Sequence, residues 1–405
     1  MTPRTAVERM RCHRIPTLAR HLPPGTVPIL NTPYSILSNG PHVTMPTCPL
    51  ASPLHLNPVP RLLTLLLLPL ALLASERPTV GAIRWDAWSG GGVTEQVEQT
   101  LSPEKHRLRL PWFARLDASG RARIDASADG IMEQEIAYAK QAGLDYWAFL
   151  TYPEADAMSS ALTRYLRSPK RADLGFCLIL HQTLSVPAAR WPAERDRTLK
   201  LLQEPGYQKV LGRPLVYAFD LKTEHPTVKQ RFDELRASAK SAGLDPYFVY
   251  MGWSPQRDYQ KHSTEGFAAV SAYAHPGTEP VFTRYVEAFE QHAWANARAN
   301  QIPYVPLVTT GWDKRPRQDH PVSWEKDAAY AQQPTFPAAA TPTEIAAHLR
   351  RALAFVKANP AVCPANTIIV YAWNEHDEGG WLCPTWTPSG QPDTSRLDAI
   401  RGILR

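Results

Sequence analysis

The sequence has few cysteines and lacks the short motifs that bind metals and nucleotides. Beyond residue 76 it has three cysteines, Cys177, Cys363 and Cys383, and no Cys-x-x-Cys pair or His/Cys cluster. No Gly-x-Gly-x-x-Gly follows the first predicted strand and no phosphate loop occurs, which disfavours a nucleotide-binding open sheet. We therefore predict no metal and no cofactor. Cys363 and Cys383 flank one predicted strand at opposite ends, so a disulfide between them would require the later loop to fold back.

An excess of basic charge is also missing from most of the chain. The 405 residues carry 44 basic and 38 acidic side chains. Six of the arginines and a single acid, Glu8, lie in residues 1–75, so the rest of the chain is close to neutral. A near-neutral body gives no electrostatic case for binding DNA or RNA. We expect no nucleic-acid partner.

The apolar run before Glu76 is too short to cross a bilayer comfortably. It spans fourteen residues, contains Pro69, and follows Arg61. A short apolar core with a basic flank and small residues at its end is typical of a secretory signal peptide. We predict a non-structural extension or misassigned start over 1–44, a signal peptide over 45–75 and a catalytic domain over 76–405, with export to the periplasm or medium. No stable membrane span is expected after cleavage; an uncleaved anchor is the alternative.

Short apolar runs rich in Val, Ile, Tyr and Phe alternate with helical patterns through the catalytic domain, which is typical of parallel strands joined by crossover helices. Helical spacing is found over 129–142, 157–167, 224–242, 281–300 and 343–358. Eight strand-helix units predict an α/β fold of the (β/α)8 TIM barrel class, forming a single domain after the leader. An open doubly wound sheet is the alternative. The eight predicted strands are 80–87, 145–152, 175–181, 214–220, 247–253, 267–273, 304–310 and 367–373.

Acidic and aromatic residues follow the ends of these strands, where barrel enzymes place their active sites. Carboxylates bind sugar hydroxyls, and aromatic faces stack on sugar rings. All twelve tryptophans lie beyond residue 80. We therefore expect an oligosaccharide or polysaccharide substrate. The predicted substrate-binding residues are Asp86, Trp88, His181, Asp220, Trp253, Trp312, Asp313, Trp373, Asn374 and Trp381.

The segment YAWNEHDEGGWLCP at 371–384 contains two glutamates three residues apart. In an extended strand Glu375 and Glu378 would face opposite sides, so both reach one site only if the chain turns at His376 or Asp377. Gly379 and Gly380 make such a turn plausible. Repulsion between the carboxyls would then separate their pKa values, leaving one protonated as an acid and one ionised as a base. Glu375 and Glu378 are the predicted catalytic residues; a solvated acidic turn is the structural alternative.

The segment Trp373-Asn374-Glu375-His376-Asp377-Glu378-Gly379 resembles the terminal motif of the glycoside hydrolase family 99-like proteins, which include the domain labelled glycosyltransferase WbsX. Gly311-Trp312-Asp313 with Pro316-Arg317 is similar to a second motif of this group. The resemblance implies a (β/α)8 barrel that hydrolyses α-linked sugars without a metal. It implies that Glu378 is the general acid, and that Glu375 is the base that deprotonates the sugar 2-hydroxyl, with retention of configuration.

Several positions depart from the family pattern. His376 replaces a tryptophan, and His181-Gln182 stands where many relatives have an Asn-Glu pair. These differences leave the sugar undefined, so we do not predict mannose. A glycosyltransferase of surface-polysaccharide synthesis and a catalytically inactive carbohydrate-binding barrel are the alternatives to an exported glycoside hydrolase.

Overall fold

The computed structural model describes residues 77–325 and 329–405. Eight parallel strands, each overlapping a predicted segment, form its main sheet, and a short ninth strand, Lys209–Val210, pairs antiparallel with the fourth of them. All residues of the second and eighth strands are buried, as expected for a sheet covered on both faces. The strands are β1 Thr79–Arg84, β2 Tyr146–Leu150, β3 Gly175–Leu180, β4 Arg213–Phe219, β5 Tyr247–Met251, β6 Ala269–Ser271, β7 Leu307–Thr309 and β8 Thr367–Tyr371.

These strands run parallel in the order β7-β8-β1-β2-β3-β4-β5-β6. The two ends of the sheet meet through a bridge between Val270 and Tyr304. Val270 N donates to the Pro303 carbonyl at 2.9 Å, and Val305 N donates to the Val270 carbonyl at 2.9 Å. The predicted (β/α)8 barrel is confirmed by this strand order and closure.

Helices cover the outside of the barrel. The five segments predicted from apolar spacing are helical, although the segment 281–300 contains a π-helical turn, Gln291–Ala295, between its two α-helical parts. Gly143 ends its helix in the left-handed conformation, as its position predicts. The helices are α1 Gly91–Leu101, α2 Ile131–Ala142, α3 Ser160–Arg167, α4 Trp191–Leu201, α5 Pro226–Ser241, α6 Pro255–His262, α7 Phe282–Glu290, α8 Asn296–Ala299, α9 Arg315–Asp319, α10 Pro342–Ala358 and α11 Ser395–Leu404.

The predicted extension and signal peptide, 1–44 and 45–75, lie outside the described residues. Within 77–325 and 329–405, no helix is both long and apolar enough to span a membrane. Cys177, Cys363 and Cys383 are buried and unpaired. The disulfide between Cys363 and Cys383 is therefore not formed.

Candidate active site

The acidic segment after β8 folds into a small hairpin. Asn374–Glu375 pairs antiparallel with Gly380–Trp381, and one 3-10 turn, His376–Glu378, connects them. This turn brings Glu375 and Glu378 to the wall of the same cavity, which has a volume of about 530 Å³. Every barrel strand contributes to that cavity at or just beyond its carboxyl end: the lining includes Trp85, Leu150, His181, Phe219, Trp253, Tyr273, Trp312 and Glu375.

Two glycines hold the loop after β7 against this hairpin. Gly379 has φ +86°, and a Cβ there would lie 2.5 Å from the backbone nitrogen of Asp313. Gly311 has φ +149°, and its Cβ would lie 2.1 Å from the Gly379 carbonyl oxygen. Because neither glycine has a side chain, the two backbone segments come close enough for Asp313 N to donate a hydrogen bond to the Glu378 carbonyl at 2.6 Å. Only glycine combines these conformations with such close backbone approach.

The Glu378 carboxylate is surrounded by hydrogen-bond donors. Its Oε1 contacts Arg317 Nη1 and lies 2.9 Å from Lys314 Nζ, and its Oε2 accepts from Tyr371 Oη. Burial alone would raise the pKa of Glu378, but the charges of Arg317 and Lys314 outweigh it and lower the pKa to about 2. Glu378 is therefore ionised at neutral pH.

Glu375 has the opposite environment. Its Oε1 accepts from Tyr273 Oη at 2.6 Å, whereas its buried Oε2 has no hydrogen-bond partner among the described residues. Burial and the nearby negative charge of Glu378 raise the pKa of Glu375 well above its usual value. The surroundings of Glu375 therefore favour the protonated form of this carboxyl.

Lys314 and Arg317, here called the cationic clamp, are themselves buried and neutralised. Lys314 Nζ lies 2.6 Å from Glu325 Oε1, and Arg317 Nη1 lies 2.9 Å from Glu325 Oε2. Arg317 also makes a two-pronged ion pair with Asp377, at 2.7 and 3.1 Å. Three carboxylates thus share two cations, and the clamp offers no free positive charge to an anionic ligand.

Seven aromatic residues line the cavity. Phe219 stacks on Tyr273 with ring centroids 4.2 Å apart, and Tyr273 in turn contacts Glu375. Trp253 is 50% exposed and Trp324 is 38% exposed, which leaves indole surface available to a ligand. We call this set the aromatic wall: Trp85, Tyr152, Phe219, Trp253, Tyr273, Trp312 and Trp324.

Four of the ten predicted substrate-binding residues line the cavity: His181, Asp220, Trp253 and Trp312. Burial lowers the pKa of His181, whose Nδ1 lies 3.3 Å from the Phe219 carbonyl oxygen. Asp220 has φ +50° and pairs with Lys222. The Trp312 indole nitrogen is buried without a hydrogen-bond partner among the described residues.

Asp86 and Trp373 do not line the cavity; both lie beside Glu135 of α2 and Arg84. Arg84 pairs with Asp86 at 3.2 Å and with Glu135 of α2 at 2.8 Å. Trp373 Nε1 donates to Glu135 Oε1 at 2.8 Å. Burial, opposed in part by Arg84, raises the pKa of Asp86 to about 6. These residues form a buried polar cluster between the barrel and α2.

Trp88 and Trp381 also lie outside the cavity and pack on the His376 ring, at 4.8 and 5.6 Å between centroids. His376 stands where the family motif has its second tryptophan. Its ring packs between these two tryptophans, so the substitution does not change the wall of the cavity. Burial lowers the pKa of His376 to about 3, so this imidazole is neutral.

Asn374 and Asp313 hold neighbouring backbone and side chains in place without lining the cavity. Asn374 Oδ1 accepts from Trp85 N at 2.9 Å, and its amide nitrogen donates to the Trp85 carbonyl. Asp313 pairs with Arg109 and with Arg315. Asn374 thereby fixes the part of the chain that carries the Trp85 ring.

The family model for glycosyltransferase WbsX matches residues 177–390, which is more than half of the chain. The protein belongs to the glycosyltransferase WbsX family. The matched range contains His181, Trp253, the cationic clamp and both glutamates. The family resemblance expected from the two motifs is thus confirmed for WbsX.

Two solved structures of the GH99 endo-alpha-mannosidase from Bacteroides thetaiotaomicron are similar to this chain. One has a TM-score of 0.49 at 12% identity and the other 0.48 at 13% identity; each comparison covers 80% of this chain and 96% of the other. A search of curated proteins gives no match.

Several cavity residues of this WbsX family member are absent from the sequence-based site. Tyr273 ends the predicted sixth strand, and Arg317 belongs to a quoted motif, so both had a positional signal. Glu325 and Trp324 lie in a loop beyond α9, away from any strand end, and had none. Within 77–325 and 329–405, no group of three or more His, Cys, Asp or Glu side chains is arranged to hold a metal ion.

Proposed function

We propose that this WbsX family protein is a glycoside hydrolase that cleaves α-linked oligosaccharide or polysaccharide with the carboxyl pair Glu375 and Glu378, retaining the anomeric configuration. The observation that carries the proposal is the pair itself: two buried carboxyls on one cavity wall whose pKa values are shifted in opposite directions. Glycosidic bond cleavage needs one carboxyl that gives a proton and one that is negatively charged.

The lining of the cavity supports a sugar ligand. The aromatic wall offers ring faces, and Asp220 offers a carboxylate beside them. Two buried polar atoms on lining residues, Glu375 Oε2 and Trp312 Nε1, have no partner among the described residues. An unpaired buried polar atom costs about 1–3 kcal/mol, so hydroxyl groups of a bound sugar would relieve this cost.

The test is a screen against α- and β-linked oligosaccharides with product analysis by mass and by NMR of the released anomer. Glu375→Gln and Glu378→Gln should each abolish turnover while oligosaccharide binding persists. Glu287→Gln is the matched control, because Glu287 is exposed on α7, away from the cavity. Wild-type protein that cleaves no member of the panel, or variants that keep full turnover, would refute the proposal.

The family description favours glycosyl transfer as a second candidate function. In that reaction a sugar hydroxyl replaces water as the attacking group, and the same two carboxyls act as acid and base. Incubation with a sugar donor and an acceptor oligosaccharide separates the two functions, because a transferase forms a longer product where a hydrolase releases a reducing sugar.

We further propose that the protein is exported through the apolar segment within 45–75. Expression of the full chain with a C-terminal tag, followed by mass spectrometry of its N-terminus, tests this proposal. A mature N-terminus near Ala74 or Ser75 supports export, whereas an intact leader on intracellular protein contradicts it.

A further inference from the structure

A second cavity, of about 430 Å³, is bordered by α1, by the 3-10 turn Glu104–Arg109 and by an antiparallel hairpin, Arg115–Leu116 with Ala122–Arg123. We call it the arginine groove. No aspartate or glutamate lines it within the part of the chain that the structure describes, whereas four carboxyl groups line the cavity of the candidate active site. The groove therefore has a net positive lining, which includes Gln99, Arg107, Ser119, Gly120, Arg121 and His320.

The first arginine of the groove, Arg107, is held in place by backbone carbonyls. Its Nε donates to the Ser102 carbonyl at 2.9 Å, and its Nη2 donates to the Gly120 carbonyl at 2.8 Å. Gly120 has φ +77°, and a Cβ there would lie 3.0 Å from Arg107 Nη2, so a glycine permits this approach. The carbonyls are neutral, so they orient the guanidinium without removing its charge.

The second arginine, Arg121, lacks a hydrogen-bond partner for its side chain. Its backbone nitrogen donates to Asp117 Oδ1 at 3.1 Å, which fixes the residue in the hairpin turn. Its Nε is buried, and no described residue accepts a hydrogen bond from it. A buried donor without an acceptor costs free energy. An oxyanion placed against the guanidinium would supply the missing acceptors.

The acidic residues next to the groove in the sequence bind other cations. Asp117 Oδ2 lies 3.1 Å from Arg123 Nη2, and Glu98 Oε2 lies 3.3 Å from Arg123 Nη1. Asp319 Oδ2 lies 2.8 Å from Lys105 Nζ. None of these carboxylates pairs with either groove arginine, so both positive charges remain available to a ligand.

We propose that the arginine groove binds an oxyanion, a carboxylate, sulfate or phosphate group, through Arg107 and Arg121. The planar guanidinium presents paired donors that match the paired oxygens of such groups. His320 directly follows α9, and Arg317 of the same helix lines the cavity of the candidate active site. This proximity gives the anion two sources, an acidic group on a carbohydrate chain or a free inorganic anion. The inference does not depend on the proposed hydrolase function, because binding requires no turnover.

Isothermal titration calorimetry of the purified protein tests the groove with inorganic phosphate, inorganic sulfate, tetragalacturonate and the neutral maltotetraose. Wild type should bind at least one of the three anions. Arg121→Met removes a charge without removing a hydrogen bond between described residues, and should bind that anion about 10- to 100-fold more weakly. Arg107→Met should weaken it to a similar extent. Maltotetraose binding should be the same in wild type and both variants.

Arg115→Met is the matched control, because Arg115 is exposed on the same hairpin and does not line the groove. Its affinity for the anion should stay within about twofold of wild type. Circular dichroism of each variant verifies that folded proteins are compared. Tighter binding of tetragalacturonate than of phosphate and sulfate would identify an acidic saccharide as the source, and the reverse order would identify a free inorganic anion. Absence of anion binding to wild type, equal affinities of wild type and Arg121→Met, or an equally large loss in Arg115→Met would overturn the proposal.

Discussion

Replacement of Lys314 by methionine tests the electrostatic basis of the site. The side chain is only 5% exposed, and its Nζ lies 2.9 Å from Glu378 Oε1. Methionine keeps most of the volume and removes the charge. Since the clamp holds the pKa of Glu378 at about 2, loss of half the clamp should raise that pKa. The acidic limb of the pH–activity profile should then move to higher pH.

The size of this shift follows from the distance. Two unit charges 2.9 Å apart in an effective dielectric constant of about 20 interact by about 6 kcal/mol. At about 1.4 kcal/mol per pKa unit, this corresponds to a shift of about 4 units. If water fills part of the space and doubles the dielectric constant, the shift halves to about 2 units. We therefore expect an upward shift of about 2 to 4 pH units.

The assay is kcat against pH for the oligosaccharide cut by wild type, with the melting temperature recorded at each pH. Lys314→Arg is the matched control, because it keeps the positive charge and should leave the limb within about one unit of wild type. A folded Lys314→Met protein whose acidic limb stays in place, or moves to lower pH, would refute the reasoning. Such a result would mean that Arg317 alone holds Glu378 ionised.

Three further predictions address stability and binding. Because the pKa of Glu375 is raised in the folded state, its protonated carboxyl stabilises the fold fully at pH values below the unfolded-state pKa near 4.5. With rising pH this stabilisation is lost by up to about 1.4 kcal/mol per pH unit. In urea unfolding, the free energy of unfolding of Glu375→Gln should therefore rise relative to that of wild type from pH 5 to pH 8, and a constant difference would contradict this. Gly379→Ala should lower the free energy of unfolding by about 3 kcal/mol or more, because the added methyl group would meet Asp313. The control is Gly243→Ala, which has φ +73° and no atom within 4 Å of the added Cβ and should lower the free energy of unfolding by only about 1 kcal/mol. Equal losses in chemical denaturation would refute the steric argument. Trp253→Ala should raise KM for oligosaccharides about fivefold at constant kcat, since a half-exposed indole contributes about 1 kcal/mol of stacking; an unchanged KM would remove Trp253 from the binding surface.

Most of the fold could be predicted because the barrel strands are short apolar runs that differ clearly from their surroundings. Each of the eight barrel strands overlaps its predicted segment, with ends shifted by up to three residues. The helices were harder to recognise: α1 begins with Gly91 and Gly92, and α4 and α6 are rich in charged residues. Apolar spacing is weak in such segments, so none of the three was predicted.

The candidate site was only partly predictable, because position after a strand does not fix the direction of a side chain. Just after β1, Trp85 lines the cavity and Asp86 does not, although Asp86 was the residue expected there. The charge state of Glu378 depends on Arg317 and Lys314, which approach from the segment after β7, and sequence spacing within 371–384 carries no information about that approach. The turn that unites Glu375 and Glu378, in contrast, followed from the adjacent glycines.

The backbone contact between Gly311 and Gly379 has a consequence for engineering. Since neither position tolerates a side chain, the loops after β7 and β8 cannot vary independently. A chimera that imports one of them from a relative should misplace Lys314 and Arg317 relative to Glu378 even when every catalytic side chain is retained. Specificity would then be transplanted only when both segments are exchanged together as one cassette.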